Sequence, residues 1–185
     1  MAYNYDNLEW TIGVDNTPGI YPDAYFIRKS DISEWPTLKE DPSTAEEVAK
    51  YVGDFSLVDG ATWKKLFCDV NKSPISVEAQ GEKFSKSYLN TATFKYPGTK
   101  ADAIAFARNA VNDDLVFLFR EKATGNWRVV GNEMFQCDVN VSQAIGGAPT
   151  DDRGTTVEAS VTDRMPAPIY DGSIMTDDGD VNPSS

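Results

Sequence analysis

The side chains with reactive or ligand-binding chemistry in this chain are two cysteines, Cys68 and Cys137, a dispersed set of carboxylates and four tryptophans. Histidine is absent. Its absence removes the Ser-His-Asp and Cys-His arrangements, in which an imidazole moves a proton near neutral pH, and with them the histidine metal sites. Neither cysteine has a second cysteine at metal-ligand spacing. Cys137 falls within an alternating strand pattern, so the pair reads as buried free thiols rather than a redox or metal couple. No GxxxxGK[ST] phosphate loop occurs, and no GxGxxG follows a strand.

Carboxylates offer the remaining route to catalysis, because two distant acids can meet in space. Glu78, Glu82, Glu133 and Glu158 lie in or beside predicted strands. Glu78 and Glu158 occupy the alternation class opposite the apolar side chains, which assigns them to solvent or a partner. Asp177-Asp178-Gly179-Asp180 resembles a fragment of a calcium loop without its other ligands or terminal glutamate. Trp10, Trp35, Trp63 and Trp127 are scattered, which favours packing over a sugar-binding platform. The chain therefore reads as non-enzymatic, with no catalytic residue, no cofactor and no metal ligand assigned.

The elements that must carry these residues are mostly strands. A chain of 185 residues supports one hydrophobic core, with room for extended arms. Residues 1–22, with Trp10 and Tyr21 separated by Pro18 and Gly19, read as an N-terminal arm. Ala24–Lys29 reads as a short strand, Asp31–Thr44 as a loop and Ala45–Tyr51 as a turn of helix. Phe55–Val58 and Thr62–Asp69 flank Asp59-Gly60, a favoured tight-turn pair, and suggest a hairpin. Ile75, Val77 and Ala79 alternate with polar residues, as do Ala92, Phe94 and Tyr96.

After Pro97-Gly98 the period changes to 3.6. Over residues 100–112, Ala103, Ile104, Phe106, Ala107, Ala110 and Val111 form one apolar arc, with Thr99 placed to cap the helix. Leu115–Phe119 is a continuous apolar run read as a core strand, turning at Thr124-Gly125-Asn126 into a return over Trp127–Val130. Alternation resumes at Phe135–Val141 and at Thr156–Thr162. The expected fold is mainly β: an antiparallel β-sandwich or barrel-like core over residues 23–164 with one flanking amphipathic helix. Residues 165–185, rich in proline and aspartate, are expected to form a C-terminal arm and a loose acidic tail.

Seventeen basic against twenty-nine acidic residues give a formal charge of −12. That balance opposes wrapping of a nucleic-acid backbone, which needs clustered Lys and Arg. It suits solubility, and equally an acidic wall past which nucleic acid slides without adhering. No apolar run approaches the length of a membrane span, and MAYNYDNLEW lacks the features of a signal peptide.

In order, ISVEAQGE, FSKSYLNTATFKYPGTKADAIAFARNAVNDDLVFLFREKATGNWRVVGNEMFQCDV, a Gly/Ala/Pro loop, GTTVEASVTD and MPAPIYDG resemble the tail tube proteins of tailed phages and related prophages. The resemblance is closest to versions from Bacteroidetes-type hosts and spans roughly residues 55–172. It implies a virion structural protein, made in the host bacterial cytoplasm, whose subunits form hexameric rings stacked into a tube through which DNA passes. It also implies assembly through a long hairpin, here Asp54–Asp69, and through terminal arms, here Met1–Pro22 and Met165–Gly172. Trp10, Tyr21, Trp63, Pro166, Pro168 and Tyr170 are the candidate assembly residues. The partners expected are copies of the same chain, other virion proteins and transiently passing DNA. A capsid decoration, tail-completion or connector protein, and a carbohydrate-binding β-sandwich module, remain as alternatives.

Overall fold

The apolar run Leu115–Phe119 becomes the strand around which everything else is layered. The structure is a computed structural model describing residue 5, residues 7–148 and residues 150–182. Met1–Asn4 and Asp6 of the expected N-terminal arm, Pro149 of the glycine-rich loop, and residues 183–185 of the expected acidic tail lie outside those described.

Strand β1 (Ile20–Arg28) leads through a 3-10 turn into β2 (Ile32–Glu34) and β3 (Thr37–Leu38). Helix α1 (Ala45–Ala49) follows, then β4 (Tyr51–Val52), β5 (Ser56–Leu57) and β6 (Lys64–Phe67). Strands β7 (Ile75–Gln80) and β8 (Ser87–Tyr96) form a hairpin before helix α2 (Ala101–Ala110). The rest is β9 (Leu115–Glu121), β10 (Trp127–Val130), β11 (Asp138–Ala144), β12 (Gly154–Asp163), β13 (Ile169–Tyr170), β14 (Met175–Thr176) and β15 (Gly179–Asp180).

With 42% strand and 10% helix, the fold is mainly β. A five-stranded sheet, ordered β13-β10-β9-β1-β6, faces a four-stranded sheet, ordered β11-β12-β8-β7. All pairings within them are antiparallel. Between them lies one core, built from Phe117, Phe119 and Val130 of the first sheet and Ala92, Phe94, Val157, Ala159 and Val161 of the second. The architecture is that of a β-sandwich.

The first sheet is also covered on its other face. There Val116, Leu118, Tyr25, Ile27 and Val129 meet Ile32, Tyr51, Phe55, Trp63, Tyr170 and Ile174 in a second core. Alternation then has no solvent side to show, so Leu115–Phe119 are all apolar and at most 3% exposed. The second sheet has no such cover. Its strands keep the apolar/polar alternation that a half-solvated sheet requires.

The C-terminal segment differs from the expected arm and loose tail. Residues 165–182 pack into the second core: β13 pairs with β10, and Ala167, Tyr170 and Ile174 are buried. The Tyr170 hydroxyl accepts from the Phe55 amide at 3.3 Å and donates to the Ser173 carbonyl at 2.7 Å. Gly172 is required beside it, because a Cβ would collide with Asp54 and the Tyr170 ring. The aspartates of the tail are structural. Asp177 accepts from Lys64 and Thr62, while Asp180 accepts from the Ser173 hydroxyl and the amides of Ile174 and Asn182. These carboxylate oxygens face N–H, hydroxyl and ammonium donors rather than a calcium loop.

The Asp54–Asp69 hairpin also does not form. Gly60 makes its turn, with the Ala61 amide donating to the Val58 carbonyl, but the flanking strands diverge. β5 pairs with β2 and β6 with β1, because Phe55 and Trp63 are drawn into the second core. The expected loop over residues 31–44 holds two short strands for the same reason. α2 spans 101–110, its N-cap Lys100 makes no capping bond, and Thr99 instead accepts from Arg153. Its buried stripe is narrower than expected. Ala103 and Ala110 are buried and Phe106 meets Phe26 edge-on at 5.2 Å, while Ile104 and Val111 stay exposed.

Phe117→Ala removes a ring in contact with Phe26, Phe94 and Phe119. It should cost about 3–5 kcal/mol, seen as a lower urea midpoint with an unchanged m-value. Ending the chain at Arg164 strips the cover from Val129 and Trp127. The truncated protein should lose its cooperative thermal transition by circular dichroism rather than behave as a trimmed, stable domain.

Candidate functional site

The outer face of the four-stranded sheet lies outside both hydrophobic cores. Its rows follow from register. Asp138 lies beside Ser160, Thr91 and Ser76; Asn140 beside Glu158 and Thr93; Ser142 beside Thr156 and Lys95; Thr162 beside Leu89 and Glu78. Hydroxyls and amides dominate, punctuated by the carboxylates Asp138, Glu158 and Glu78. Lys95 is the one cation in these rows, and its ammonium is held by Asp152, which also binds Lys72. The two ammonium groups lower the Asp152 carboxyl to about 2. The sheet face therefore presents carboxylates without a free counter-charge.

Neither edge of this sheet has a further strand partner among the described residues, although α2 lies against β11. β7 and β11 each pair on one side only, and no isolated bridge among the described residues covers them. The five-stranded sheet is different. At its β13 edge Ile169 is bridged by Lys50, and next to β6 Trp63 is bridged by Thr176. Open edges offer unpaired N–H and C=O groups to another chain unless charge or proline blunts them. Neither β7, ISVEAQ, nor β11, DVNVSQA, contains a lysine or a proline.

Two further features stand out from the domain. The β7–β8 turn carries Phe84 at φ 74, in the left-handed region, with its side chain 97% exposed and the Lys83 ammonium 5.3 Å from the ring centre. The N-terminal segment before β1 leaves Leu8, Trp10, Ile12 and Val14 exposed. Those four alternate with Glu9, Thr11 and Gly13, the pattern of a half-buried strand, yet the segment has no strand partner among the described residues. The segment carries the candidate Trp10 of the expected N-terminal arm, whereas Phe84 did not figure among the sequence candidates. The signals for them are a phenylalanine within a lysine-rich turn and the two-residue period of NLEWTIGV.

Of the six candidate assembly residues, Trp10, Tyr21 and Pro166 are at the surface, and Arg120 stacks 5.1 Å from the Tyr21 ring. Trp63, Pro168 and Tyr170 are not available to a partner. All three are buried, Trp63 and Tyr170 against Phe55 in the second core, where their large apolar surfaces are removed from water. The four tryptophans do not converge: Trp63 and Trp127 are buried, Trp35 packs on Phe55, and only Trp10 projects.

Chemistry is sparse. Cys68 and Cys137 are free and buried, and burial pushes each thiol up to about 12, so neither is a nucleophile at neutral pH. No group of three or more His, Cys, Asp or Glu among the described residues is placed to hold a metal. One carboxylate is anomalous. Asp163 is 7% exposed; its Oδ1 accepts from the Arg164 amide at 2.6 Å, while Oδ2 has no protein partner. Burial pushes its pKa above the ordinary carboxylate value. No family model, curated protein or solved structure gives a significant match to this chain.

Asp163 sets a pH dependence whose sign follows from linkage. Its folded-state pKa is raised, so the native state holds this proton to higher pH than the unfolded chain, and stability falls as pH rises through that window. Asp163→Asn keeps an oxygen for the Arg164 amide and removes the ionisation. The variant should gain stability relative to wild type at neutral pH and show no such gain below the ordinary carboxylate pKa, measured by denaturant unfolding across acid to neutral pH.

Proposed function

We propose that this chain is a non-enzymatic virion structural protein: a tail tube subunit of a tailed phage or prophage, whose copies form rings that stack into a DNA-conducting tube. The observation that carries the reading is the four-stranded sheet with a polar, carboxylate-bearing outer face and two unpaired edges. Pairing β7 of one copy with β11 of the next would extend the sheet from subunit to subunit. It would satisfy the edge hydrogen bonds, and a head-to-tail contact of this kind closes into a ring when the rotation between subunits permits.

A face of Ser, Thr, Asn and Gln with Asp138, Glu158 and Glu78 suits the inside of such a ring. DNA binding draws on phosphates meeting Lys and Arg with release of counterions. A wall lacking free cations offers no such contact, and its carboxylates repel the backbone, so DNA would pass without being held. The −12 charge then has a local use beyond solubility. The exposed N-terminal segment supplies reach to a neighbouring subunit. In this reading the protein is made in the host bacterial cytoplasm and ends in the virion, with hexameric rings as in the resembled family.

Size-exclusion chromatography with light scattering, followed by negative-stain microscopy over a concentration series, should show rings or hollow tubes. A strictly monomeric chain at the highest concentration would overturn the reading. Glu158→Lys should leave assembly intact but make the assemblies retain DNA in a salt-sensitive way, whereas wild-type assemblies should not retain it.

A further inference from the structure

Phe84 is an aromatic side chain held out of its own fold. It is 97% exposed, its backbone is in a conformation that a bulky residue adopts only at a cost, and the Lys83 ammonium 5.3 Å from the ring centre leaves nearly all of its surface in solvent. Such a residue at the tip of a hairpin resembles an interface anchor, which acts by filling a pocket on a partner.

A pocket of matching character lies at the other end of the same strand. The tip, Gly81–Lys86, precedes Ser87, the first residue of β8, whereas the pocket is lined by Phe94 and Tyr96 at the strand's far end. Ten residues of strand separate the ends by about 30 Å. The pocket has a volume of about 270 Å³ and apolar walls from Phe26, Leu66, Phe94 and Phe106. An apolar cavity of roughly 150 Å³ is enough to take up benzene, so a phenyl ring fits. A larger groove of about 500 Å³ flanks β7; it has aliphatic walls from Ile20, Val70, Ile75 and Val77, but it contains no aromatic ring and also runs past the ion-paired Arg128 and Glu121, so its lining is the more polar of the two.

We propose that Phe84 of one copy inserts into this pocket of the next, a head-to-tail contact directed along the strands. Because knob and pocket are different surfaces at opposite ends of one subunit, the contact is heterologous, and a contact directed along the strands can repeat from layer to layer as an open stack. Charge agrees with shape. Lys83 and Lys86 flank the knob and form no ion pair among the described residues; the pocket is lined by Asp102 and by Lys65, whose ammonium is already paired with Asp23. The contact rests on the reading of the chain as a self-assembling subunit and specifies how one layer of subunits seats on the next.

The test uses the full chain. Phe84→Gly removes the ring and relieves the positive φ, so the variant should fold with an unchanged or higher melting temperature. It should nonetheless need roughly tenfold or more the wild-type concentration to form tubes. Separately, Phe84→Cys and Phe67→Cys are mixed as two single variants under mild oxidation; Phe67 borders the pocket and is half exposed, whereas the native thiols are buried. A disulfide-linked dimer should form from the mixture well above the level from either variant alone, and the double variant should give a ladder of higher multimers. Undiminished tubes from Phe84→Gly, or no cross-link between the two positions, overturns the contact. Tubes that depend instead on Trp10 would make the N-terminal segment the occupant and also overturn it. Rings that form without stacking in Phe84→Gly support the contact, while wild-type protein that forms neither rings nor tubes overturns both the contact and the tube reading.

Discussion

Burial of β9 on both faces governs the rest of the molecule. Phe117 and Phe119 reach into the inter-sheet core, while Val116 and Leu118 reach the opposite way into the second. A central strand of this kind needs two separate covers. One is the four-stranded sheet, and the other is assembled from pieces far apart in sequence: the 30–63 region and the C-terminal segment. Phe55 is the meeting point of the second cover, with Trp35, Trp63 and Tyr170 rings at 5.3, 5.4 and 4.9 Å. These aromatic contacts join segments more than a hundred residues apart, and so tie the irregular part of the chain to the sheets.

This demand leaves the four-stranded sheet as the part with a free face. Material able to cover it has been spent on the other side of the sandwich. Its outer rows must then be compatible with water, or with another chain, and the alternation in β8 and β12 records that. Asp152 contributes from the loop before β12 by holding the ammonium of Lys95, the sheet's one cation, in an ion pair that it shares with Lys72. An exposed face that keeps its carboxylates but ties up its lysine has a defined sign of charge, a property that burial alone would not select.

Where residues sit on one element and answer to one core, the sequence was readable. The strands around Ala92, Val139 and Val157, the run at Leu115 and the helix after Gly98 all follow from period and turn chemistry. The second core was not readable, because its members come from short strands and loops whose apolar residues carry no period. Thus Trp63 and Tyr170 looked like surface aromatics of a hairpin and an arm. Proline and aspartate in the last twenty residues suggested a loose tail, yet Tyr170, Gly172 and Asp180 make specific bonds that composition does not reveal. At the candidate site, the polarity of Glu78 and Glu158 was legible from alternation. The open edges were not, since pairing partners are a property of topology. Phe84 escaped notice because a single aromatic in a polar turn has no pattern to betray it.

Apart from buried Asp163 with its unpartnered Oδ2, the departures from local rules described above lie at the perimeter. Seven-residue β11 and six-residue β7 each lack a strand partner along one edge, Phe84 holds a strained conformation in solvent, and an alternating apolar segment precedes β1 without a strand partner among the described residues. A sequence shaped only for a stable monomer has inexpensive remedies for each: a lysine on an edge strand, glycine at position 84, polar residues at Leu8 and Ile12. Departures from local consistency that coincide with exposed positions are expected where a surface serves something outside the fold. Here they occur at both sheet edges, at one end of the strands and at the N-terminal segment, the directions in which the proposed tube subunit would meet neighbours around a ring and along its axis.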